Sequence, residues 1–111
     1  MDNELLRDLL QASRAIYDEA VGEVNAEARA EIDRALREAA IWACEESDRN
    51  PSVPMDAICE RAEEKATECI LKIRALASCK IRMLLFQLQC REKNIRTFVE
   101  RRERVAAEPN G

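Results

Sequence analysis

Between Pro54 and Arg104 the chain contains neither glycine nor proline, and apolar residues recur through that stretch at intervals of eleven. Three sets of positions carry the recurrence: Cys59, Ile70, Ile81 and Glu92; Ala62, Ile73, Leu84 and Ile95; Ala66, Ala77, Leu88 and Val99. All but Glu92 are apolar or Cys. An eleven-residue period corresponds to about 3.67 residues per turn, which keeps a stripe on one side of a nearly straight helix. A stripe of this length needs an equally long partner, from the same chain or from a second one. Ile70, Ile73, Ile81, Leu84, Leu88 and Ile95 are the candidate residues of that core or dimer seam.

The partner is offered by the preceding residues. "NPSVP", residues 50–54, is the one unambiguous break: Pro51 disfavours helix at Asn50, and Pro54 suits the first turn of a new helix. Upstream, residues 3–49 carry apolar positions at helical spacing. Leu5, Leu9, Ala12, Ile16 and Ala20 form one stripe, widened by Leu6, Leu10, Tyr17 and Val21, and an alanine-rich run follows at Ala28, Ile32, Ala35, Leu36, Ala39 and Ala43. Gly22 and Asn25 leave room for a stop and restart, so this arm is one helix or two. The pattern predicts an all-α protein: a long antiparallel helical hairpin of two to three helices. Residues 1–106 form a single helical domain, with an arm over 3–49, a break at 50–54 and a long helix over 54–104. Residues 107–111 form a disordered tail.

"ILKIRALASCKIRMLLFQLQC", residues 70–90, carries a second apolar face. Projected at 100° per residue, Ala75, Leu76, Cys79, Met83, Phe86 and Cys90 lie opposite the seam, while Arg74, Ser78, Arg82, Gln89 and Arg96 fall into a lateral strip. A helix with two opposed apolar faces belongs between neighbours. The first arm covers one face, and the same helix of a second molecule is expected to cover the other, giving a homodimeric bundle.

Composition narrows the function. The 111 residues include no histidine, which removes the usual general base and the usual zinc ligand. The two glycines are isolated, so no phosphate-binding loop can form. An enzyme is not expected, nor a cofactor. The five cysteines, at 44, 59, 69, 79 and 90, contain no pair close enough for a shared metal, and they read as reduced thiols buried as small apolar groups. Charges interrupt every apolar run, so no membrane span is expected. The acidic opening "MDNELLRDLL" lacks the order of a signal peptide, which points to a soluble, cytoplasmic protein.

Charge is uneven. Residues 1–70 hold 8 basic and 18 acidic side chains, and residues 71–111 hold 10 basic and 4 acidic. An acidic arm laid against a basic one accounts for this within a hairpin. The alternative is a basic ridge of Arg91, Lys93, Arg96, Arg101, Arg102 and Arg104 that tracks the backbone of double-stranded RNA or DNA. Against that stand a sequence pI near 5.0 and few aromatic residues. "LRDLL", Leu6 to Leu10, matches the LxxLL form of groove-docking helices, but leucine-rich helices produce it readily through core packing. The expected function is therefore a non-enzymatic helical interaction protein of adaptor, inhibitor or chaperone type. Its expected partners are itself and an unknown protein, with nucleic acid as the alternative. Leu6, Leu10, Tyr17, Met83 and Phe86 are the candidate contacts.

Overall fold

The structure, a computed structural model, describes residues 2–107. Among them are two α-helices and no strand: α1, Asp2–Arg49, and α2, Met55–Ala107. The fold is an all-α helical hairpin. α1 passes through Gly22 without interruption, which settles the arm as one helix. A Cβ placed at Gly22 would meet nothing within 4 Å, so no close approach requires the glycine there.

The turn is built as the prolines dictate. The Asn50 amide donates to the Glu46 carbonyl at 2.9 Å, completing the last helical bond of α1. The Asn50 side chain donates to Glu46 Oε1 at 2.7 Å, and Arg49 lies 3.6 Å from the same carboxylate. Pro51 ends the helix, and the Val53 amide returns to the Asn50 carbonyl at 3.0 Å. Pro54 sits just before α2 rather than inside it. Its carbonyl accepts from Ala57 and Ile58, so the residue that lacks an N–H supplies the first acceptor of the helix.

The hairpin divides into two compact units. The turn unit, Val24–Cys79, holds a core of Ala43, Ile58 and Ala62, with Ala39, Trp42 and Val53 packed against it. Ala66 is buried, and Ala28, Ile32, Ala35, Ile70, Ile73 and Ala77 are half-buried. Small alanines let the two helix segments approach closely, and Ile58, at 0% exposure, is the large side chain that fills the gap below the turn. The terminal unit, made of residues up to Glu23 and from Lys80, buries Leu88, Val99 and Ser13. Leu6, Leu10, Tyr17 and Val21 of α1 and Ile81, Leu84 and Ile95 of α2 are half-buried there.

On α2 the eleven-residue rows are the covered rows, with one exception. Cys59 is exposed, and its neighbour Ile58 takes the covered place where the helix leaves the turn. α1 follows the same period. Leu10, Val21, Ile32 and Ala43, then Leu6, Tyr17, Ala28 and Ala39, then Ser13, Val24, Ala35 and Glu46, are all buried or half-buried. Of the stripe expected on α1, Leu5, Leu9 and Ala20 are half-buried, but Ala12 and Ile16 are exposed and their neighbours Ser13 and Tyr17 take the covered places. The basic end of α2 extends beyond Arg104 to Ala107, and the rest of the predicted tail lies outside the described residues.

Candidate interaction surface

A two-helix hairpin can bury only one face of each helix, and what the other face carries is therefore informative. On α2 that outward face is apolar. In the terminal unit Met83 and Phe86 are 64% and 65% exposed, and Leu85 and Phe98 are also open to solvent. In the turn unit Leu71 and Leu76 are exposed. Single exposed leucines are ordinary, whereas Met83 and Phe86 are large, three residues apart and together on one helix face.

The cysteines correct the sequence reading. All five, Cys44, Cys59, Cys69, Cys79 and Cys90, are exposed rather than buried. The physical reason is capacity: a two-helix hairpin covers one face of each helix, and Ile, Leu and Ala already fill most of it. Cys79 and Cys90 consequently stand on the outward face of α2, on either side of Met83 and Phe86.

The other candidate residues divide. Leu6, Leu10 and Tyr17 lie half-buried on the covered row of α1. Leu6 and Leu10 also line an open groove of about 450 Å³ with Arg7 and Glu92. Of the seam residues, Leu88 is buried at 1% exposure and Ile70, Ile73, Ile81, Leu84 and Ile95 are half-buried. Lys93, Arg96, Arg101, Arg102 and Arg104 are exposed. Arg91 differs from these: the residue is half-buried, and its Nε donates to the Ser13 hydroxyl at 3.1 Å. The Arg102 guanidinium lies 6.0 Å from the centre of the Phe98 ring.

Two contacts escaped the sequence reading. Ser13 is the polar residue of the covered row, held by Arg91 from the facing helix. Lys65 places its ammonium 4.9 Å above the centre of the Trp42 ring, closing one side of the turn-unit core. Neither pairing has a sequence signal beyond its place on the rows. Among the described residues, no buried side-chain nitrogen or oxygen is left without a hydrogen-bond partner. No group of three or more Cys, Asp or Glu among them could hold a metal ion, and no helix is long and apolar enough to cross a membrane.

No protein-family model matches this chain, and no curated protein or solved structure matches it.

Proposed function

We propose that this chain is a non-enzymatic interaction protein that works as a homodimer, through the outward face of α2. The observation that carries the reading is the exposure of Met83 and Phe86 on the side of α2 turned away from the covered row. Apolar side chains of that size lose free energy when removed from water, about 25 cal/mol per Å² of apolar area. A second copy presenting the same face offers a complementary surface without requiring any new sequence. Adaptor, inhibitor and chaperone proteins built from helices act in this way, by laying an apolar helix face against another helix. The absence of histidine from the chain argues against acid–base turnover.

The test is size exclusion with light scattering on protein purified without nuclease, with absorbance recorded at 260 and 280 nm. A mass twice 12.7 kDa with a protein-like absorbance ratio is the expected result. Co-eluting nucleic acid that high salt removes would overturn the reading in favour of the basic residues. So would a mass of one chain.

A further inference from the structure

We propose that the open groove lined by Leu6, Arg7, Leu10, Arg14 and Glu92 receives an acidic amphipathic helix of another protein. The groove lies within the terminal unit and shares no residue with the outward face of α2. It therefore stands apart from the homodimer and does not depend on it.

Charge marks the groove out from the rest of its segment. Residues 1–23 carry six carboxylates, Asp2, Glu4, Asp8, Asp18, Glu19 and Glu23, and two cationic side chains, Arg7 and Arg14. Both arginines line the groove, and none of those six carboxylates does. The polar side chains beside them are the amides of Asn3 and Gln11. Both arginines are exposed, and neither forms an ion pair with a carboxylate among residues 3–107. The one acid at the groove, Glu92, comes from α2 and is half-buried. An acidic segment that leaves its two cations unpaired beside an apolar floor offers them to carboxylates from elsewhere.

Spacing selects a helix as the source of those carboxylates. Arg7 and Arg14 are seven residues apart, about two turns and about 10.5 Å along α1. A helix laid alongside presents its own positions seven apart at that same distance, so two carboxylates so spaced reach both guanidinium groups. Leu6 and Leu10, each half-buried, supply the apolar floor on which the intervening side chains of the incoming helix pack. Each guanidinium presents a planar fork of N–H donors that matches a carboxylate. The volume, about 450 Å³, would hold a small molecule, but the groove is open to solvent. Sites for small molecules enclose about 70–90% of the ligand surface, whereas a docked helix needs contact on one face only. The apolar contact supplies the affinity, and the exposed charge pairs select the partner.

Fluorescence anisotropy with the full chain tests this. The probe is a fluorescein-labelled, alanine-based helical peptide with two glutamates seven residues apart and leucines between them. A control peptide carries lysine at both acidic positions. The expected result is saturable binding of the acidic peptide, with the lysine peptide bound about tenfold more weakly. A chain with Arg7→Glu and Arg14→Glu should reverse that preference. Both positions are exposed, so this variant should keep its helical circular dichroism spectrum. Absence of saturable binding would overturn the proposal, as would equal binding of the two peptides by the native chain or an unchanged preference in the variant. A mass by light scattering that falls in the variant would also overturn it, by giving the groove to a second copy of the chain.

Discussion

Ser13 and Arg91 are 78 residues apart in sequence and joined across the hairpin, with Arg91 Nε donating to the Ser13 hydroxyl at 3.1 Å. Ser13 is 4% exposed, at a position where the rest of its row is mainly apolar. A polar residue in a helix seam fixes which turn faces which, since sliding by one turn would strand the hydroxyl. Replacing Ser13 by Ala removes the acceptor while keeping the space almost filled. Urea unfolding should show a loss of about 1 kcal/mol, the scale of one hydrogen bond to a charged group that water partly replaces. Arg91→Lys should not preserve the contact, because lysine has no donor at the Nε position.

The covered row and the outward face should respond differently to truncation. Leu88, at 1% exposure, has no room to relax, so Leu88→Ala should cost about 2–4 kcal/mol in urea unfolding. Ile58→Ala should behave alike in the turn unit, where Ile58 joins Ala43 and Ala62. Phe86→Ala removes a larger side chain from a 65% exposed position and should leave the unfolding of a single chain within about 0.5 kcal/mol. Its effect should appear instead in the concentration at which the chains associate.

Gly22 offers a gain. It lies inside α1, and a Cβ there would meet nothing within 4 Å. Gly22→Ala lowers the entropy of the unfolded chain without any clash, and should stabilise the protein by about 0.5–1 kcal/mol. Thermal melting followed by circular dichroism at 222 nm checks this as a rise in Tm.

The homodimer also predicts a dependence that no contact within one chain can give. Because dimerisation favours the folded state by mass action, Tm should rise with protein concentration. Melts over a hundredfold range of concentration should move for the native chain and stay fixed for a chain that cannot associate.

Much of this fold can be read in the sequence, and the places where it cannot have physical causes. Pro51 and Pro54 mark the turn, and the eleven-residue rows on α2 coincide with its covered face. The row on α1 escapes because Ser13 interrupts it and Ile16 supplies a false apolar position beside it. Only the facing Arg91 makes a serine acceptable there, and no local pattern reveals a partner 78 residues away. The cysteines mislead for another reason: burial is their usual fate, but the seam of a two-helix chain is already filled. The outward face of α2 was legible at Met83 and Phe86 because opposed apolar stripes on one helix show directly in the periodicity, whereas Leu6, Leu10 and Tyr17 fall on the covered row.

The central claim is that the outward face of α2 joins two copies. Sedimentation velocity of the native chain beside a Met83→Glu, Phe86→Glu double variant tests it most directly. Both positions are more than half exposed, so the variant should keep its helical circular dichroism spectrum. The account predicts a mass of two chains for the native protein and one chain for the variant. A native protein that sediments as a single chain, or a variant that remains dimeric, would contradict it.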